Sequence, residues 1–177
     1  MRIGFRHCDP RFPFLWTSER QPAARWHGDG DGPANYFADT PTGAWAEFLR
    51  HEGITDAADL AGVRRSLWAV ELPETDWAAP ALAEATLHGD ESSYPACRRE
   101  AARLRAQGAE RIEAHGAALL PGAAHGWNAG AVGHRPSVTP RDGRVWVVYG
   151  VQPLTGWAAV HSGSPPPEVL PLVRHLL

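Results

Sequence analysis

The chain reads as an α+β domain. Strand-like runs alternate with helical patterns along its length, and the stretches near both ends are mostly extended. At 177 residues it is long enough to bury a real core as one domain, residues 1–177.

The first twenty residues interleave Ile3, Phe5, Phe12, Phe14 and Trp16 with Pro10 and Pro13, which break any helix. They predict a short strand around Arg2–His7 and then an extended loop, with Arg6 placed to reach into a cleft. Residues 27–33, His-Gly-Asp-Gly-Asp-Gly-Pro, form a glycine-rich hairpin or loop. Its Asp-x-Asp-Gly fragment lacks the downstream glutamate that a calcium loop requires.

The loop feeds a short aromatic strand, Asn35–Ala38, and then the helix around which the chain is organised. Thr40 can accept from the first-turn N–H groups, and Pro41 sits where a helix has no use for its N–H. Ala44, Trp45, Phe48 and Leu49 make the apolar arc, Glu47 lies on its border, and Gly53 is a natural stop.

Ile54-Thr55-Asp56 opens a short helix to about Leu60. Arg65–Leu72 alternates as a strand with Trp68, Val70 and Leu72 on one face, Pro73–Pro80 is a turn region, and Ala81–Leu87 a helical turn. After Asp90-Glu91-Ser92-Ser93-Tyr94-Pro95, strong helix formers run from Ala96 to about His115, with Gly108 the point where that helix can break. Ala117–Leu120 reads as a buried strand ending at Pro121-Gly122, and His125–Asn128 as a loop. Gly133–Gly143 is a polar turn region, Arg144–Val151 a strong strand and Trp157–His161 a weaker one. Pro165–Leu177 is an apolar tail that Pro171 shortens or kinks.

Composition excludes several classes. A formal charge of −3 gives no electrostatic footprint for nucleic acid or for an anionic membrane. Every basic residue is arginine, so lysine Schiff-base, P-loop lysine and lysine-base chemistry are out, whereas arginine suits bidentate capture of phosphate. Cys8 and Cys97 are far apart and form neither a zinc pattern nor a disulfide framework. No apolar run is long enough to span a bilayer and the start does not read as a signal peptide, so a cytoplasmic protein is expected.

Four short motifs stand in order: Phe5-Arg6-His7, Ala24-Arg25-Trp26, Tyr36-Phe37-Ala38-Asp39-Thr40 and Ala44-Trp45-Ala46-Glu47. The order resembles the RES domain, the toxin half of bacterial RES-Xre toxin–antitoxin pairs. That family has an early arginine followed by an aromatic residue, a Gly-Arg-Trp-like motif, a Tyr-Leu-Ala-Asp/Glu-Ser strand end, and a helix bearing Ala-x-x-Glu. The resemblance is clear over residues 1–53 and diffuse over 54–125. Two positions depart from it: Pro95 stands in strict register where the family has a serine, with Ser93 and Ser92 just upstream, and Gly122 stands where many relatives have serine.

The resemblance implies a small mixed fold like that of ADP-ribosyltransferases, with a central split β-core, and an enzyme that breaks the nicotinamide–ribose bond of NAD. NAD is then the substrate, inorganic phosphate or water a candidate acceptor, an antitoxin protein a candidate partner, and no metal is expected. On that reading Glu47 and Arg25 are catalytic, Glu47 stabilising the oxocarbenium-like state near the ribose. Arg6 and Arg25 grip the pyrophosphate, and Tyr36, helped by Trp26, stacks on the nicotinamide cation. Ser93 contacts the nicotinamide amide, and His7 stacks or bonds a phosphate. The competing readings are transfer of ADP-ribose to a protein or small molecule, a non-catalytic nucleotide or partner binder, and a metal enzyme built on His7, His27 and Asp29 or Asp31.

Overall fold

The computed structural model describes residues 1–18, 20–136 and 139–176. Its centre is a six-stranded antiparallel sheet in the order β4-β7-β2-β1-β3-β8. The strands are β1 (Arg2–Cys8), β2 (Ala34–Ala38), β3 (Arg65–Leu72), β4 (Arg111–His115), β7 (Arg144–Tyr149) and β8 (Gly156–Gly163). Strands β5 (Trp127–Gly130) and β6 (Gly133–Pro136) form a separate hairpin. Helices α1 (Pro41–His51), α2 (Glu84–Leu87) and α3 (Tyr94–Ala106) flank the sheet. The predicted α+β class is what the chain adopts.

One seam in this sheet differs from the others. β1 and β3 pair along all seven residues of β1, whereas β1 and β2 pair at Phe5 opposite Ala38 only. Beyond that pair, toward His7 and Tyr36, the strands part and side chains fill the space.

Alternation along β2 explains the layers. Ala34, Tyr36 and Ala38 share the face covered by helices. Ala34 and Tyr36 pack with α3 through Cys97, Ala101 and Leu104, while Ala38 packs with α1 through Trp45, Phe48 and Leu49. Phe37 points the other way, into a third cluster with Val70, Leu72, Trp146 and Val148, closed by Phe14 and Trp77 rather than by a helix.

α1 forms as its sequence dictates: Thr40 Oγ1 accepts from Gly43 N at 2.9 Å, Pro41 opens the first turn, and Gly53 follows the last turn with φ 63°. The short helix after Ile54 is a 3-10 turn, Ala57–Gly62, capped by the Asp56 carboxylate.

Three expectations are corrected. The helix drawn from Ala96 to His115 is two elements: α3 ends at Ala106, Gly108 takes φ 91°, and Arg111–His115 is β4. Helix propensity there loses to pairing with β7, which buries Ile112 and Ala114. Ala117–Leu120 is buried at Ala117, Ala118 and Leu119 but is no strand. It bonds the tail instead, through Leu120 N to Leu172 O and Arg174 N to Ala118 O. Within Gly133–Gly143, Gly133–Pro136 belongs to β6, while Ser137 and Val138 lie outside the described residues. The tail forms a 3-10 turn, Pro167–Leu172, whose Val169 joins Val173 against α1.

Candidate functional site

The parted seam opens into a cavity of about 450 Å³ between α1 and α3, well within the roughly 300–1,000 Å³ of small-molecule sites. His7, Tyr36 and Ala38 come from the sheet, Glu47 and Arg50 from α1, and Tyr94 from α3. Phe12, Pro13 and Trp16 border it from the loop after β1.

Glu47 is set there by exclusion. Between Gly43 and Arg50 every residue of α1 is buried except Glu47. The apolar border seen in the sequence is therefore a border on the cavity, not on a broad solvent face. Among the described residues the one group within ion-pair distance of its carboxylate is His51 Nε2, at 3.8 Å, which pairs ionically only when protonated.

Arg6 crosses the seam. Its Nε donates to Phe14 O at 2.7 Å and its NH1 to Tyr36 O at 3.3 Å. Burial pulls the guanidinium down to about 10, with Arg65 adding to the effect against Cys8 and Tyr36, so it remains a cation at neutral pH. Arg65, on the neighbouring β3, donates to His7 Nδ1 at 3.2 Å, and its enclosed Nε has no partner. Among the described residues neither Arg6 nor Arg65 has a carboxylate within ion-pair distance. His7 is held neutral, by burial first and then by Arg65 and Arg6, and its ring meets Phe48 edge-on at 5.2 Å.

Tyr36 offers its ring and not its hydroxyl. The hydroxyl sits 2.8 Å from His27 Nδ1 and accepts from Trp26 N at 3.1 Å. His27 Nε2 lies 2.9 Å from Pro22 O, so the neutral tautomer with the proton on Nε2 satisfies all three groups. Burial raises the Tyr36 hydroxyl far above its ordinary range. Trp26 lines the cavity yet is 1% exposed and packs with Ile112 and Val145.

Arg25 also lines the cavity, but its guanidinium is committed to the protein. NH2 donates to Gly89 O at 2.6 Å, NH1 to Ser93 Oγ at 3.0 Å and to Thr86 O at 3.3 Å, and the plane lies 4.6 Å from the Tyr94 ring. Ser93 stands behind it, outside the cavity lining, and donates to Asp90 O at 2.6 Å. Ser93 is the residue before α3 but its side chain does not cap it; Pro95 fits the helix's first turn. Gly122 has φ 74°, a conformation that strains serine. No serine or threonine of the described residues lines the cavity.

The cavity thus brings together Arg6, His7, Arg25, Trp26, Tyr36 and Glu47, and leaves Ser93 out. His7, His27, Asp29 and Asp31 do not converge, and both His27 nitrogens are engaged. Sequence reasoning missed Arg65 and Arg50. Arg50 is buried and donates to Ala117 O, to Arg174 O at 2.9 Å and to Gly89 O at 2.9 Å, so it and Arg25 share one carbonyl. A cation inside the organising helix, three residues after Glu47, was the available signal.

Fold and site define a small α+β domain with a charged, part-enclosed cavity over a parted seam in its sheet. The model of the RES domain matches residues 2–147, most of the chain, and the chain belongs to the RES domain family. That family is linked to NAD-acting enzymes associated with toxin–antitoxin pairs. No curated protein matches the chain. No helix among the described residues is long and apolar enough to cross a membrane.

Proposed function

We propose that the chain consumes NAD by breaking the bond between nicotinamide and ribose, with phosphate or water as acceptor. One observation carries this reading: Glu47 faces the same cavity as Arg6 and Arg65, two guanidiniums with no carboxylate within ion-pair distance among the described residues, the lining Asp9 being paired with Arg11. An anionic ligand answers those cations, and a carboxylate answers a developing oxocarbenium ion. In this reading the pyrophosphate grip assigned to Arg6 and Arg25 moves to Arg6 and Arg65, because Arg25 is committed to Gly89, Thr86 and Ser93. Arg25 then acts as a positioning residue, Tyr36 supplies the stacking face, and His7 offers its free Nε2–H to an anion. An antitoxin partner that restrains this turnover belongs to the same proposal.

The absence of a lining serine or threonine among the described residues favours a second reading, a nucleotide binder without turnover. Nicotinamide release from NAD, with and without phosphate, separates the two. The expected result is release by the wild type, reduced about a hundredfold or more in Glu47→Gln, as for loss of a key electrostatic group. NAD binding without release makes the chain a binder; no binding sinks both readings.

A further inference from the structure

We infer that Glu84, His88 and His115, outside the cavity, form a site for one divalent transition-metal ion, with zinc the best match to the ligands. Glu84 opens α2 and His88 follows its last residue, so the two are four apart and share a helix face. His88 Nδ1 lies 3.7 Å from Glu84 Oε1. The third group comes from a different element: His115 closes β4, its ring 5.7 Å from that of His88 and tilted by 53°. One ligand atom from each residue falls within 4.8 Å of the others.

Two ligands bound about 2.1 Å from a tetrahedral zinc stand about 3.4 Å apart, so a small side-chain rotation closes the site. Glu84, with its side chain 72% exposed, is free to make that rotation, while His88 is held at 13%. His115 Nδ1 is enclosed and has no hydrogen-bond partner, an unsatisfied nitrogen that a helix-surface Glu–His pair does not account for. Two imidazoles and one carboxylate suit zinc and its neighbours; magnesium and calcium prefer oxygen throughout. Three protein ligands leave a fourth position for water. Arg174 is the strongest charged neighbour of His88 and opposes a cation there, while Glu84 and Asp142 favour one.

The site has a structural consequence. His88 precedes Gly89, whose carbonyl receives both Arg25 and Arg50. An ion held between α2 and β4 fixes that carbonyl to the sheet, and through it the two arginines beside the cavity. The inference stands independently of what the cavity binds.

The test uses the full chain without an affinity tag, stripped with chelator and titrated with zinc chloride, read by calorimetry and thermal denaturation. The expected result is one equivalent bound and a raised melting temperature, with no response to magnesium chloride. Glu84→Gln weakens binding at least about tenfold, the loss that even an outer-shell partner causes, and His88→Gln and His115→Gln abolish the single-equivalent binding. Glu84 is exposed, so its variant folds and decides the matter even where a histidine variant does not. The inference is overturned by the absence of saturable binding at one equivalent. It is equally overturned by unchanged affinity and melting shift in Glu84→Gln.

Discussion

Arg6 and Arg25 come from similar sequence settings, each beside an aromatic residue or histidine, yet their surroundings assign them opposite energetic roles. Arg25 donates to two backbone carbonyls and a hydroxyl, so removing it forfeits three charge-assisted hydrogen bonds, although Gly89 O keeps Arg50 and Thr86 O keeps Gly89 N. Arg6 satisfies two carbonyls but carries a buried charge with no carboxylate within ion-pair distance among the described residues. Arg25→Met is therefore expected to lower unfolding free energy by about 1.5–3 kcal/mol, the scale of hydrogen bonds to a charged group. Arg6→Met is expected to leave it near the wild-type value while weakening NAD binding about tenfold or more, the loss of a charge-assisted contact. Urea midpoints and NAD titration of both variants check this, and equal destabilisation by the two would contradict it. The motif around Arg25 was legible in the sequence; its commitment to Gly89 and Ser93, residues far along the chain, was not. Glu47 was legible as a border position, because helical spacing shows which side is apolar. What periodicity could not show is that the tail and the 117–119 segment close over the middle of α1 and leave Glu47 the one gap between Gly43 and Arg50.

At the level of elements, strands read well where alternation and turn residues agreed, as for Arg65–Leu72, which the structure reproduces residue for residue. They read badly where local propensity opposed pairing, as in Arg111–His115, whose glutamate, arginine and alanine favour helix until β7 is beside them. The seam between β1 and β2 was beyond single-sequence reach, because nothing local distinguishes a strand that pairs once from one that pairs throughout. Gly4 shows how tightly the paired end beside this seam is built. A Cβ there would stand 2.6 Å from Leu72 Cδ1 and 2.8 Å from Phe37 Cβ. Gly4→Ala is expected to cost about 1–3 kcal/mol by overpacking. Leu72→Ala in the same chain removes one of the two clashing side chains, so thermodynamic coupling between the two sites is the measurement. Strict additivity would mean that the close approach is relieved elsewhere.

For the whole molecule, the C-terminal residues beyond the family match are part of the same body: β8 extends the sheet from β3, and Val169, Val173 and the Arg174 carbonyl pack on α1. The response of this body to acid follows from histidines that it keeps neutral. Burial is the first cause for His7, His27 and His88, with Arg65 and Arg6 reinforcing it at His7. An unfolded histidine takes a proton near 6.5. With folded values below that, the unfolded chain binds more protons as pH falls, so stability is complete above about pH 6.5 and declines on acidification toward the folded values. Each histidine kept neutral contributes a slope of at most about 1.4 kcal/mol per pH unit in that window. The carboxylates Asp9 and Glu100, which their arginine partners Arg11 and Arg103 hold near 2, lose their proton-free advantage only at lower pH and do not set this decline. Urea midpoints measured from pH 8 to pH 5 are expected to be level at first and then to fall, and His7→Gln is expected to flatten the fall. An anion bound by Arg6 and Arg65 offsets the charges that disfavour a proton on His7, so added NAD or pyrophosphate should flatten it as well. A level profile down to pH 5 would show that these histidines are protonated in the folded chain at no cost, and the cavity's cations would then not be acting on His7.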